Sequence, residues 1–220
     1  MLVVAQELRR PLLELRQLAL GFDGNGEEDE KIRAEMVAVT ERAMRQVNDL
    51  AKIRNLKLKI FAMEPVAVRR VCDDVIKEVS ELFGGRKCEM KVRYSNRSRL
   101  VVANVELLKS VVFNFILDAL NYTDDDMKTE LNVYESKGRV GIKVRDFGPA
   151  LPMDVWQEVK GNLLTPREIA MRPGSSALGL YIVSKFSKYM HAEVGAVRHR
   201  DGASFFVKLP VSKQMAMWSV

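Results

Sequence analysis

The sequence predicts an α+β protein in two parts: an N-terminal helical hairpin that pairs with a second copy into a dimeric four-helix bundle, then an α/β sandwich. Three observations lead there. Two N-terminal segments carry apolar residues at three- and four-residue steps, with a glycine-rich turn between them. Beyond Pro65, runs with the helical period alternate with short runs of period two, the order that suits one mixed sheet with helices on one face. At 220 residues and 47% apolar composition, the chain is long enough for one or two compact domains and rich enough to fill their cores.

In the first segment, Leu2 to Leu20, the residues Leu8, Leu12, Leu15 and Ala19 fall on a coiled-coil-like seam. Gly21, Gly24 and Gly26 end that helix, and the acids near Asp29 suit the positive start of the next. The stepping resumes at Ile32, Met36, Val39, Ala43, Val47 and Leu50. Two such helices joined by a short turn form an antiparallel hairpin. Alone it would leave most of its seam wet. A homodimer is therefore expected through Leu8, Leu12, Leu15, Ile32, Met36, Val39, Val47 and Leu50, the alternative being that the hairpin packs on the rest of its own chain. The basic run Lys52–Lys59 has no interleaved aromatic residue, so it reads as a solvated face or linker and not as a nucleic-acid groove. Phe61 to Pro65 reads as an extended linker, because the residue before proline avoids helix. It divides a hairpin domain, 1–60, from a second domain, 65–220.

A helix is expected from Pro65 through Val68, Val71, Val75, Val79 and Leu82 to the stop at Gly84-Gly85. Met90, Val92 and Tyr94 alternate as a strand. Leu131 and Val133, and then Val140, Ile142 and Val144, do the same on either side of a turn at Gly138. A helix begins near Pro152, another spans Ala177 to Met190, and strands Glu193–Arg198 and Ser204–Leu209 close around the turn His199–Gly202. Cys72 and Cys88 lack metal-ligand spacing and read as small, reduced, part-buried residues. The chain has no run of about eighteen apolar residues and no basic-then-apolar leader, so it is expected to be cytoplasmic and to cross no membrane.

The second domain is organised around Val111–Thr123, where Val112, Phe115, Ile116, Ala119 and Leu120 mark one buried helix face. Asn114, Asp118 and Asn121 fall on the neighbouring stripe, one turn apart. Such a row of oxygens either forms the wet edge of a helix or holds a hydrated divalent cation. The stretch Asn114-Phe-Ile-Leu-Asp118-Ala-Leu-Asn121-Tyr122-Thr123 resembles the N box of sensor histidine kinases, N-L-x-x-N-A-x-K-Y/F-T. The resemblance implies that Asn114 and Asp118 meet Mg²⁺ and that Asn121 and Tyr122 belong to an ATP site. Asp118 replaces the second Asn, and Asn121 replaces a Lys that reaches phosphate.

Ala5-Gln6-Glu7-Leu8-Arg9-Arg10-Pro11-Leu12 resembles the same family's H box, S/T-H-E-L/F-R-T/N-P-L. Pro11 bends the helix, as it does in the family. Gln6 stands at the position of the phosphoacceptor histidine, and an amide nitrogen is not nucleophilic at neutral pH. Natural loss and replacement by an experimenter are both open. Glu7 matches the acid that serves as base in an intact relative.

Asp146-Phe-Gly148-Pro-Ala150 resembles the G1 box D-x-G-x-G, which implies a hydrogen bond from the adenine amino group to Asp146, with Ala150 replacing a glycine. Ser175-Ser176-Ala177-Leu178-Gly179-Leu180 resembles the G2 box G-x-G-L-G-L, whose backbone approaches phosphates. Gly161 to Gly174 reads as an ATP lid, and the closing run from Gly202 to Pro210 puts Ser204 near the adenine pocket. Five boxes in order, over nearly the whole chain, imply a fold of the histidine-kinase, gyrase and Hsp90 ATPase type. The implied function is a two-component signalling protein, with ATP and Mg²⁺ as cofactors and a response regulator receiver domain as partner. A docking module that has lost catalysis is the alternative, and a protein-serine kinase of the same superfamily is a third. With an added carboxylate at Asp118 and a lost cation at Asn121, Mg·ATP is expected to bind near the millimolar range, about −4 kcal/mol.

Overall fold

The structure, a computed structural model, describes residues 2–22, 27–83, 90–95, 99–123, 129–159 and 177–213, with the side chains of residues 2–6, 27, 28, 158 and 159 outside that description. Helix α1, Leu2–Leu20, contains Pro11, and α2, Glu27–Asn55, returns beside it. An ion pair of 2.7 Å between Arg42 and Glu14, and the Arg33 guanidinium over the Phe22 ring, fix the antiparallel register. A 3-10 turn, Leu56–Leu58, then closes on Lys59, which adopts φ 52°.

The seam of the hairpin divides between two environments. Leu8 and Leu50, with Ile53 and Leu56, pack against the apolar core of the following domain. Leu12 and Val47, by contrast, are 63% and 51% exposed, and Val37 and Met44 beside Val47 are each 55% exposed. One edge of the hairpin thus packs on its own chain, and the other faces outward.

Glu64–Val66 forms strand β1, paired antiparallel with Val101–Ala103. This corrects the expectation of a helix starting at Pro65: the helix, α3, runs over Val68–Leu82. Pro65 stands opposite Val102 in a two-stranded edge, a place where a residue without an N–H is tolerated. Val68, Val71, Val75 and Val79 form the buried stripe of α3, and Cys72 lies among them, its thiol pushed up to about 12 by burial and by Asp73. Cys88 and the Gly84-Gly85 stop lie outside the described residues.

Strand β2, Met90–Tyr94, is followed by β3, Val101–Ala103, which sequence periodicity did not mark, and by α4, Val105–Tyr122. Asn104 caps α4 by accepting the Leu107 N–H at 3.1 Å, so the helix begins a turn and a half before the run first read as helical. Then come β4, Thr129–Ser136, β5, Arg139–Arg145, α5, Met153–Val159, α6, Ala177–Tyr189, β6, Glu193–His199, and β7, Gly202–Pro210. Lys137 and Gly138 both have positive φ, 50° and 73°, which is the turn a two-residue hairpin requires.

The five-stranded sheet has the order β2-β4-β5-β7-β6, with β2 parallel to β4 and every other pair antiparallel. Helices α3, α4 and α6 pack side by side, and α4 buries Phe115 against Phe205 of β7, ring centroids 6.0 Å apart. This is the expected mixed sheet with helices on one face. Among the described residues, no helix is long and apolar enough to cross a membrane.

Candidate nucleotide site

The polar stripe of α4 opens onto a cavity of about 610 Å³ between the hairpin and the sandwich. Asn114, Asp118 and Asn121 line it from α4, and Gly179 and Leu180 line it from the first turn of α6. The opposite wall is the hairpin, with Glu7, Arg9, Arg10 and Pro11 from α1 and Arg42 from α2. The structure therefore brings the H-box-like, N-box-like and G2-like segments around one space. Arg9, Arg10 and Arg42 enter that space as residues to which sequence reasoning gave no role there. The repeat of two arginines at consecutive positions was visible, but not which face would meet α4.

Asp118 is only 7% exposed, while Asn121 at the end of the stripe is exposed. The Asn114 amide nitrogen donates to the Ser110 carbonyl at 2.8 Å, so its oxygen is the atom suited to a cation. Among the described residues no group of three or more His, Cys, Asp or Glu side chains could hold a metal. A cation here would meet two side-chain oxygens and take its remaining ligands from water or a bound anion, the way Mg²⁺ is usually held.

A second cluster is built where β5 ends. Asp146 is 1% exposed, and its Oδ1 accepts the N–H groups of Gly148 and Ala203, each at 3.1 Å. These two bonds fix the plane of the carboxylate. Two glycines make the geometry possible. A Cβ on Gly148 would lie 2.3 Å from the Tyr122 carbonyl oxygen, and Gly202, at φ 131°, would place one 2.3 Å from the Asp146 carbonyl oxygen. Thr123 completes the link to α4: its hydroxyl donates to the Ala119 carbonyl at 2.8 Å and accepts the Phe147 N–H at 3.3 Å. Tyr122 and Thr123 thus splice the N-box-like helix to the Asp146 loop. Thr123 and Gly202 have positioning roles that the motif pattern alone did not supply.

Ser204 is fully buried and shares a 2.8 Å hydrogen bond with His199 Nε2. Burial, and then the charge of Arg145, holds the His199 imidazole below its ordinary range, against Asp201 and Asp146. Asp146, Gly148 and Ser204 are not part of the cavity wall. Ala150 is half-buried and is not among the residues with positive φ, so its methyl meets no backbone bar there. Leu178, which does not line the cavity, and Leu180, which does, are each 2% exposed and belong to the apolar core. The side chain of Gln6, the residues Ser175 and Ser176, and the expected lid 161–174 lie outside the described residues.

Residues 103–213 match the family of histidine kinase-, DNA gyrase B-, and HSP90-like ATPases, and the chain belongs to that family. Within it, the similar proteins are sensor kinases. The sensor protein kinase PmrB of Pseudomonas aeruginosa is 24% identical over 219 residues, covering 95% of this chain and 44% of PmrB. The adaptive-response sensory kinase SasA of Crocosphaera subtropica is 23% identical over 225 residues, covering 95% of this chain and 58% of SasA. The chain spans about half the length of these relatives. Among solved structures, full-length ShkA in complex with AMPPNP superposes with a TM-score of 0.63 at 22% identity, over 84% of this chain and 40% of ShkA. The Acinetobacter baumannii histidine kinase AdeS gives 0.62 at 18% identity, over 94% of this chain and 98% of AdeS. The chain carries a catalytic core of the sensor histidine kinase type.

Proposed function

We propose that the chain is the phosphotransfer core of a two-component signalling protein, binding Mg·ATP between Asn114, Asp118, Gly179 and the Asp146 loop. In this reading residues 1–60 are a dimerising, phosphoacceptor-like hairpin, 65–220 are the nucleotide-binding domain, and a receiver domain of a response regulator is the partner, in the cytoplasm. The supporting observation is that Glu7, next to position 6, lines the same cavity as Asn114, Asp118 and Gly179. The outward stripe of Val37, Met44 and Val47 supports pairing with a second copy. Gln6 cannot take a phosphoryl group. In the Gln6→His protein the imidazole nitrogen attacks the γ-phosphorus, the bond to the bridging oxygen breaks, ADP leaves, and Glu7 accepts the ring proton. Incubation of Gln6→His with γ-labelled ATP and Mg²⁺ should give acid-labile phosphate at position 6. If none forms, phosphotransfer competence is lost and the chain is a docking module. That second reading is favoured by Gln6, Asp118, Asn121, Ala150, Ser175 and Ala177 all departing along one reaction path. It expects receiver-domain binding that is indifferent to nucleotide.

A further inference from the structure

The cavity between hairpin and sandwich has its cations on one side. Among the described residues, all three cations on its wall, Arg9, Arg10 and Arg42, come from the hairpin, which also contributes the carboxylates of Glu7 and Glu14, and the α4 and α6 side contributes the carboxylate of Asp118 and no cation. Arg42 is committed to Glu14 at 2.7 Å. Arg9 and Arg10 are exposed and have no ion-pair partner among the described residues. Two guanidinium groups, each with a planar fork of donors matched to phosphate oxygens, therefore face Asn114 and Asp118 across a space of about 610 Å³, a volume that suits a nucleotide-sized ligand.

We propose that Arg9 and Arg10 of α1 are the phosphate-binding cations of this site, so that a metal-bound polyphosphate is clasped between hairpin and sandwich and its binding is linked to the closed position of the hairpin. The inference rests on the nucleotide reading above. A triphosphate carries about four negative charges and its divalent cation removes two, which leaves about two to be met by protein cations. Among the described residues the sandwich wall offers none, and the carboxylate of Asp118 there makes the need larger. Arg9 and Arg10 meet it from the other wall. Because the metal ligands and the phosphate cations then belong to different parts of the molecule, anything that swings α1 away takes both positive charges with it. By reciprocity, Mg·ATP holds α1 closed by the same factor by which a closed α1 tightens Mg·ATP.

The test is titration of the full chain with Mg·ATP up to millimolar concentration, followed by the ³¹P resonances of the nucleotide, in four proteins: wild type, Arg9→Gln/Arg10→Gln, Arg9→Lys/Arg10→Lys, and Arg9→Gln/Arg10→Gln/Asn121→Lys. The double glutamine variant should bind at least tenfold more weakly and the double lysine variant within about threefold of wild type. Asn121→Lys, which returns a cation from the α4 side, should recover most of the loss. Amide exchange of residues 7–20 should slow on adding Mg·ATP to wild type and not to the double glutamine variant. Equal affinity in wild type and the double glutamine variant, or protection confined to α4 and α6, overturns the arginine assignment and leaves the nucleotide reading standing. No binding by any of the four overturns both.

Discussion

The hairpin and the sandwich are built from the same kind of amphipathic segment and are held in opposite ways. In the sandwich, Leu107, Leu108, Val111, Val112, Phe115 and Ile116 of α4 are at most 1% exposed. In the hairpin, Leu12, Leu20, Val37, Met44 and Val47 are each more than half exposed. The hairpin is fastened to the sandwich by apolar contacts of Leu8, Leu50, Ile53 and Leu56 and by a few polar links. Asp49 of α2, itself 1% exposed, accepts the Ser110 hydroxyl of α4 at 2.8 Å and the Lys52 ammonium at 3.2 Å, while its Oδ2 is buried without a hydrogen-bond partner among the described residues. Arg45 lies 3.7 Å from the Phe113 ring centroid and pairs with Glu78 of α3. Burial lowers the Arg45 guanidinium below its ordinary range, against Asp49 and Glu41. An apolar interior packed to native density has one good arrangement, whereas a contact made of a few hydrogen-bonded pairs can be released at modest cost. The molecule thus sets its most deeply buried helix, α4, against the more exposed α2.

The largest effect should come from the interior. Phe115→Ala removes a buried ring stacked on Phe205 and should destabilise the protein by about 3–5 kcal/mol in chemical denaturation, with hairpin and sandwich lost together. A loss below about 1 kcal/mol would mean that α4 is not the organising element. Gly202→Ala comes next. Its Cβ meets the Asp146 carbonyl oxygen at 2.3 Å and Oδ1 at 2.8 Å from a backbone at φ 131°, so about 3 kcal/mol is expected. Because the strain falls on Asp146, adenine-dependent binding should weaken more than binding of inorganic triphosphate, a difference that calorimetry can resolve.

Asp49→Ala addresses the other side of the comparison. The lost bonds to Ser110 and Lys52 are worth about 1.5–3 kcal/mol, and relief of a buried carboxylate with one unpartnered oxygen offsets part of that, leaving about 1 kcal/mol. The readout is local: amides of residues 45–55 should exchange about fivefold faster, and those in the middle of α4 should not change. Equal acceleration in both would show that the hairpin is not separately detachable.

How much of this the sequence disclosed depended on whether local chemistry carried the information. Gly138 and the alternation around it placed the β4–β5 hairpin, since a two-residue turn demands positive φ. The polar stripe Asn114, Asp118, Asn121 was legible because helical spacing puts it on one face, and the structure sets it on one wall. Pro65 misled because proline suits both a helix start and an edge strand, and only the partner Val101–Ala103, three residues long, distinguishes them. The seam of the hairpin was read as one surface, but whether Leu8 or Leu12 turns toward the sandwich is decided by docking contacts such as Asp49 to Ser110, which lie 61 residues apart. For the same reason the arginines of α1 were visible as residues and not as a wall of the cavity. Periodicity reports which face is apolar, and says nothing of what stands across from it.

The smallest expected effect is a pH dependence, and it belongs to the rigid part. His199 bonds the buried Ser204 at 2.8 Å, and its pKa is lowered first by burial and then by Arg145. Its unfolded value is the ordinary one, about 6.5. Between the lowered folded value and about 6.5 the unfolded chain binds more protons than the folded one, so stability rises with pH through that window and is level above it. His199 therefore contributes its full share above about pH 7, and loses it as pH falls through the window. Thermal unfolding of wild type and His199→Ala from pH 5 to 8 isolates this, because groups common to both cancel. The gap between the two should be constant above about pH 7 and narrow on the acid side. A gap that stays constant would show an unshifted imidazole and overturn the prediction, and one that widens with acid would place the charged form in the fold and reverse the reading of the Ser204 contact.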